Sequence, residues 1–367
     1  MSKLLDSALE PIAEKVMTGQ RLTRADGHTL YRSNDLMGIG QLATMVRERL
    51  YGKKTFYVYN QHLNYTNVCI NRCVFCAYSK DEGQDGAFTL SIDQAAQLIA
   101  KREDEPITEI HIVGGLNPSL PFSYYLDLIR KIKTLRPGAT VKAFTAVEID
   151  HLCKISGMGL VEVLRLLKEA GLSMMPGGGA EILSERVHQK LYKKKIGPQR
   201  WLEVTRAAHN AGIPTNATML YGHIETIEER IDHLLKLRAL QDDTGGILAF
   251  IPLAFHSQNT RLSHLPPTPA VDDLKTIAIA RLVLDNIPHI KAYWVMISPA
   301  LAQVAMSFGA DDMDGTVVEE KITHMAGAKT PKGLTRNEIR EMISAAGFEP
   351  VERDAFYNPV EKSNDHN

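Results

Sequence analysis

The chain has 367 residues, 44% apolar and 23% charged, a composition that suits a soluble globular protein with one large barrel or two ordinary domains. A net charge of −1 argues against a sequence-independent grip on nucleic acid, which needs a basic surface, although Lys190 to Lys195 carry a local basic run. No apolar run approaches the roughly 18 residues of a membrane span, and acidic residues break up the opening MSKLLDSALEPIAEK, which is not a secretory signal.

Residues 1–60 read as a helical segment, with apolar positions at helical spacing from Leu4 to Val16 and from Ile39 to Leu50. From Asn64 onward short apolar or β-branched runs alternate with amphipathic helices. The predicted strands are Tyr65–Val68, Glu109–Val113, Thr140–Phe144, Leu172–Met175, Thr215–Leu220, Ile247–Ile251 and Lys291–Val295, with an eighth near Met313–Val318. Ser91 caps the helix that runs to Arg102, Gly171 stops the one over Val161–Ala170, and Pro198 suits a first turn. Thr226 with Glu229, and Thr335 with Glu338, have capping-box spacing. Eight strand–helix repeats predict an α/β fold, a closed (β/α)8 TIM-type barrel over residues 61–320. A doubly wound open sheet is the alternative, but no GxGxxG follows a strand. Residues 321–367 form a C-terminal extension whose polar tail, Glu361 to Asn367, should fray.

Without an export signal the expected location is cytoplasmic. In that reducing compartment the four cysteines serve as ligands, nucleophiles or buried thiols. Cys69, Cys73 and Cys76 stand at C-x3-C-x2-C spacing just after the first predicted strand, at the barrel mouth where such folds keep their active sites. Thiolates are soft ligands for iron–sulfur clusters or zinc. A structural zinc site closes with four ligands, as does a cluster used only for electron transfer. The remaining Cys153 lies in a predicted helix on a later repeat and reads as a buried small hydrophobe. Three ligands leave one iron of a [4Fe–4S] cubane open to a small molecule.

Other features gather at predicted strand ends. Gly114 and Gly115 let the backbone approach a ligand, or make a simple tight turn. Pro176-Gly177-Gly178-Gly179-Ala180 precede Glu181, which then faces a ligand or is an ordinary surface carboxylate. Phe144–Glu148 is expected to end the third strand, and Asn216 and Thr218 share one face of the fifth. His223 can carry a proton near neutral pH, or be a satisfied loop histidine. Trp201 is expected to pack against the sheet.

The segment C-x3-C-x-aromatic-C, with Phe75 as the aromatic, resembles the radical S-adenosylmethionine (SAM) superfamily. The likeness extends along HIVGGLNPSLPFSYY, KAFTAVEI, PGGGAEIL, NATMLYGHIE, LQDDTGGILAFIPLAF and THMAGAKTP, and narrows to menaquinone futalosine-pathway enzymes and their deazaflavin-cofactor relatives. Within them KAFTAVEI and THMAGAKTP look like the aminodeoxyfutalosine synthase family rather than the dehypoxanthine futalosine cyclase family, which shares PGGGAEIL and YGH. The resemblance implies that Cys69, Cys73 and Cys76 hold a [4Fe–4S] cluster and that the open iron takes the amino and carboxylate groups of SAM. Phe75 would lie near the adenine, and Gly114, Gly115 and Glu181 would also contact SAM. The family's Gly-Gly-Glu has Leu116 in place of Glu, so only the backbone role carries over.

It further implies that the 5′-deoxyadenosyl radical adds to 3-[(1-carboxyvinyl)oxy]benzoate, giving 6-amino-6-deoxyfutalosine, methionine and bicarbonate. The electron would come from a reductant such as flavodoxin or ferredoxin. No nucleic-acid or membrane partner is expected. Two substrate carboxylates call for cationic or hydrogen-bonding partners, and Arg72, His223 and His256 lie near predicted strand ends. A non-catalytic iron–sulfur electron carrier is the reading from another class; it would want a fourth thiolate.

Overall fold

A computed structural model describes residues 4–318 and 321–360. The chain opens with helices α1 (Glu10–Thr18), α2 (Arg24–Arg32) and α3 (Leu36–Tyr51). Thr23 and Asp26 form a capping box on α2, and Asp35 accepts from the Gly38 N–H at 2.8 Å at the start of α3. Two collinear strands follow, β1 (Lys54–Val58) and β2 (Asn60–Leu63). The next units are α4 (Ile92–Ala100), β3 (Glu109–Ile112), α5 (Phe122–Leu135), β4 (Thr140–Ala143), α6 (Ala146–Ser156), α7 (Leu160–Ala170) and β5 (Leu172–Met174). Then come α8 (Glu185–Leu191), α9 (Pro198–Asn210), β6 (Thr215–Tyr221), α10 (Ile227–Thr244), β7 (Ile247–Ala254), α11 (Ala270–Val283) and β8 (His289–Ile290). The chain ends with α12 (Trp294–Ile297), α13 (Pro299–Ala305), β9 (Asp312–Gly315), α14 (Ile322–Met325), α15 (Arg336–Ala345) and β10 (Glu349–Arg353).

Every paired strand among the described residues is parallel. β2-β3-β4-β5 and β6-β7-β8 form two ladders, and bridges from Met175 to Thr215 and from Lys291 to Asp312 join them to each other and to β9. The ring closes where Gln61 bridges Val318 and the His62 N–H donates to the Val318 carbonyl at 3.1 Å. Eight staves thus make a barrel with strand–helix alternation, the arrangement in which right-handed crossovers cover a parallel sheet. Alternate strand residues such as Ile110, Ile112, Val141, Ala143, Phe250 and Ile290 are fully buried in the apolar layer under the helices. Their neighbours point into the barrel.

Several sequence expectations shift in register. Tyr65–Val68 is an extended loop with isolated bridges from Thr66 to Thr89 and from Val68 to Lys80; the first stave is β1–β2. Its inward face carries Asn60 and His62, so the polar interior hid the strand, and β1 lies inside the stretch expected to be helical. The seventh stave is His289–Ile290, extended by the Lys291 bridge, and Trp294 and Val295 begin α12 instead. Their burial comes from a helical turn, which an apolar run cannot distinguish from a strand. Phe144–Glu148 does not end a strand: Thr145 and Glu148 form the capping box of α6. The predicted boxes at Thr226 and Thr335 and the left-handed stop at Gly171 are present. An unforeseen strand, β10, pairs with β1 in parallel register from Lys54–Glu349 to Val58–Arg353. It fills the edge below β3, which begins only opposite Asn60. The Glu361–Asn367 tail lies outside the described residues.

Candidate functional site

The cysteines occupy the long connection after β2, at the C-terminal mouth of the barrel. Polar side chains staple this connection. Asn67 donates to the Gly86 carbonyl at 2.9 Å and accepts from the Phe88 N–H at 2.8 Å, and Thr66 donates to the Phe88 carbonyl at 2.9 Å. The Cys69 N–H donates to the Lys80 carbonyl at 3.0 Å and the Cys76 N–H to the Cys73 carbonyl at 3.1 Å. The Val74 N–H reaches the Leu191 carbonyl at the end of α8, 2.8 Å away. Arg72 adopts φ 47°, and its guanidinium donates to the Ser79 carbonyl at 2.5 Å, tying the loop to itself.

Cys69, Cys73 and Cys76 are half-buried free thiols. Burial pushes Cys73 up to about 12, against the pull of the Lys195 ammonium, and also raises Cys76. Each would repel the others as a thiolate, so a cationic group must displace their protons. Among the described residues no three His, Cys, Asp or Glu side chains converge as around a single ion. A cubane does not require such convergence, since its thiolates bind separate irons. Three soft donors on one stapled loop fit a [4Fe–4S] cluster. Cys153 is half-buried on α6, packed against the core.

Glycines let other loops reach the cysteines. A β-carbon on Gly115 would sit 2.2 Å from the Val68 carbonyl oxygen, and one on Gly114 would meet the Tyr65 ring at 2.6 Å. The Gly114 N–H donates to Glu148 at 3.1 Å, and the Tyr65 hydroxyl donates to the same oxygen at 2.9 Å. Burial holds Glu148 up at about 6 despite these donors and Thr145. Gly177 packs where a β-carbon would strike the Asn216 carbonyl, and the Trp201 indole N–H secures the Gly178 carbonyl at 3.1 Å. Glu181, at φ 48°, is buried in an ion pair with Lys195. The Lys195 ammonium also lies 5.7 Å from the Phe75 ring centroid. Burial opposes its charge, but Glu181 and the nearby thiols outweigh that and raise its pKa. Phe75, Glu181, Gly115 and the cysteines are therefore one assembly. Sequence reading missed Lys195, which stood in a run that looked merely basic.

Of the three substrate-contact candidates, His223 is the one with an unpartnered ring nitrogen among the described residues. Its Nδ1 lies 2.9 Å from Glu225, while its buried Nε2 has no hydrogen-bond partner among the described residues. Burial would raise Glu225, but His223, Arg230 and the Gly222 N–H bring it down to about 2. Arg230 reaches that carboxylate at 2.7 Å. His256 is instead held by the Met296 carbonyl at 2.8 Å, and Arg72 by its own loop. Glu225 and Arg230 escaped sequence reading because they act behind His223.

The family description Radical SAM superfamily matches residues 63–237, and that of the CofH/MqnC C-terminal region matches residues 244–366. Aminodeoxyfutalosine synthase from Thermus thermophilus is 50% identical over 364 residues, covering 98% of this chain and 98% of that protein. The aminodeoxyfutalosine synthase of Streptomyces coelicolor is 43% identical, covering 96% of this chain and 94% of its own. A 5-amino-6-(D-ribitylamino)uracil–L-tyrosine 4-hydroxyphenyl transferase from Methanopyrus kandleri is 39% identical, covering 86% of each. Methylornithine synthase (PylB) superposes with a TM-score of 0.74 at 17% identity, over 93% of this chain and 97% of its own. The hydrogenase maturase HydG gives 0.74 at 19%, over 94% and 76%. These two solved structures share the fold. The chain therefore belongs to the radical SAM superfamily and is an enzyme that works with a [4Fe–4S] cluster and SAM.

Proposed function

We propose that this enzyme catalyses the aminodeoxyfutalosine synthase reaction, joining the adenosyl group of SAM to 3-[(1-carboxyvinyl)oxy]benzoate. The observation that carries the reading is 50% identity over 98% of both chains, above the 39% found with the 4-hydroxyphenyl transferase of Methanopyrus kandleri. In this reading Cys69, Cys73 and Cys76 hold the cluster, with Gly115 and Glu181 beside SAM. A cluster held there would supply the electron for cleavage of SAM to methionine and a 5′-deoxyadenosyl radical, the species that would add to the enol double bond.

This chain's residues then have three tasks. Phe75, Glu181 and the glycine loops orient the adenosyl group, since addition needs the reacting carbons near contact. The enclosed barrel keeps water from a reactive primary radical. His223, with Glu225 and Arg230 behind it, presents Nε2 to hold or move a proton. Lys190, Lys193 and Lys194 are exposed beside the α8 end that bonds Val74, which suits an acidic reductant such as flavodoxin or ferredoxin. Such a reductant and the reducing cytoplasm go together. No helix among the described residues is long and apolar enough to cross a membrane.

SAM labelled in its adenosyl carbons tests the reaction. With the enolpyruvyl benzoate and reductant, the label should enter a nucleoside that also carries the benzoate ring, in an amount matching the SAM consumed. Label found only in 5′-deoxyadenosine while dehypoxanthine futalosine is turned over would make the enzyme the cyclase. An electron carrier would cleave no SAM.

A further inference from the structure

The barrel interior holds charge where such barrels commonly pack branched apolar residues. Ile110 and Ile112 lie in the apolar layer under the helices, so Glu109 and His111 point inward; Asn60 and His62 do the same on β2. Lys142 pairs with Glu109 at 2.6 Å and Lys291 with Asp314 at 2.7 Å, and Asn60 donates to Glu109 at 3.3 Å. The charges of this tier are paired, although Glu109 Oε2 has no hydrogen-bond partner among the described residues.

The tier above it differs. His111 stacks on His62 with centroids 4.5 Å apart and planes 12° from parallel. Its side chain keeps 20% exposure although it faces the interior, so open space lies beside it. Its nearest acid oxygen, on Glu109, is 4.0 Å away, beyond hydrogen-bond reach. On the facing wall, Thr215 and Tyr221 bond outward to His209 and Asp273, which turns Asn216 inward. Asn216 Oδ1 is buried with no partner among the described residues, so no bond there stops the amide from turning to offer its NH2 donors to a ligand oxygen. Phe250 packs outward near His233, so Ile251 and Leu253 face the interior, and both are only partly buried. Burial, then His62, Lys142 and Lys291, hold the His111 pKa well below its usual range. The imidazole is therefore neutral, with no acid within hydrogen-bond reach, and an N–H given to a ligand carboxylate would be a charge-assisted bond.

We propose that His111, stacked on His62, with Asn216 inward on β6, is the receptor for a carboxylate of an aromatic acid, whose ring lies against Ile251 and Leu253. This rests on the reaction proposed above and assigns the ring carboxylate to the depth of the barrel, with the vinyl ether directed toward the cysteine loop.

The probe is 3-hydroxybenzoate, with 3-hydroxybenzyl alcohol as its uncharged counterpart, titrated calorimetrically into cluster-loaded enzyme. The wild-type protein should bind the acid more tightly than the alcohol. His111→Phe keeps an aromatic ring but removes both nitrogens; acid affinity should fall about tenfold or more, the loss of one charge-assisted hydrogen bond. Iron content and SAM affinity should stay unchanged. His111→Leu, which also lacks any donor, serves the same comparison if the phenylalanine variant does not fold. Equal acid affinity in wild type and variant, or no preference for acid over alcohol in the wild type, overturns the site. The labelled-SAM experiment uses the wild-type enzyme and a covalent product, so the reaction can fail or stand independently of this binding result.

Discussion

A single β-carbon separates a closed cysteine loop from a broken one. Gly115 has its α-carbon against the Val68 carbonyl and within reach of Cys69, where a β-carbon would approach Cys69 Cβ to 3.0 Å. Both neighbours are backbone-anchored, so neither can swing aside. Gly115→Ala should therefore displace Cys69, costing about 1–3 kcal/mol of strain and most of the iron. Iron analysis and the cluster's visible absorption, beside unchanged far-ultraviolet circular dichroism, would show it; full iron loading would remove Gly115 from the cradle. Glu181→Gln differs in kind. It keeps the shape and removes the charge facing Lys195, so SAM should bind more weakly while iron content holds. Unchanged SAM affinity would exclude Glu181 from the SAM site. At this scale legibility follows chemistry carried by spacing. Cys69, Cys73 and Cys76 announce themselves within eight residues, as does the glycine run before Glu181. Lys195 and Arg230 do not, because their meaning lies in a partner fixed only by folding.

Elements reveal what binary patterning can and cannot give. Three helices with capping boxes were readable, because Ser91, Thr226 and Thr335 satisfy orphan N–H groups by local chemistry, whereas the Thr145–Glu148 box of α6 reads as a strand end. The first stave was not, because its interior face carries Asn60 and His62 where a strand pattern expects apolar residues. Helix α10 shows how a polar residue can tie elements together. His233 accepts from the Leu183 N–H at Nδ1, 3.0 Å, and donates from Nε2 to the Thr218 carbonyl, 3.0 Å. The first bond needs the neutral ring, and burial drives its pKa down to about 3 although the Thr218 bond favours the proton. The unfolded chain therefore takes up a proton below about pH 6.5 that the folded protein refuses. His233 stabilises the fold fully above that pH, and the contribution is lost as the pH falls toward 3. Between pH 7 and pH 5 the loss from this group is about 2 kcal/mol. His233→Gln can keep one acceptor and one donor without titrating. Denaturant unfolding at the two pH values should show the variant losing about 2 kcal/mol less than the wild type; parallel losses would mean that His233 is protonated in the fold.

Across the whole molecule, the barrel depends on a strand that lies outside its ring. β10 runs beside β1 below the point where β3 begins, and it carries Arg353 under the barrel. The Arg353 guanidinium donates to Asp312 on β9 at 2.7 Å and to the Asp354 carbonyl at 2.9 Å, and lies 4.0 Å from the Tyr357 ring centroid. Arg353 and Asp312 are both almost wholly buried. A buried pair of this sort is no simple source of stability, since both charges are desolvated; removing one partner strands the other. Arg353→Met should therefore destabilise the protein by about 3–5 kcal/mol, mostly through the uncompensated Asp312 carboxylate. Asp312→Asn in the same chain removes that charge and should recover much of the loss. A double-mutant cycle by denaturant unfolding reads the coupling directly. Strong coupling means that the C-terminal segment closes the barrel floor through charge matching, so its folding and that of the ring are one event. Additive losses would mean instead that β10 is held by its ladder to β1 and that Arg353 contributes only packing.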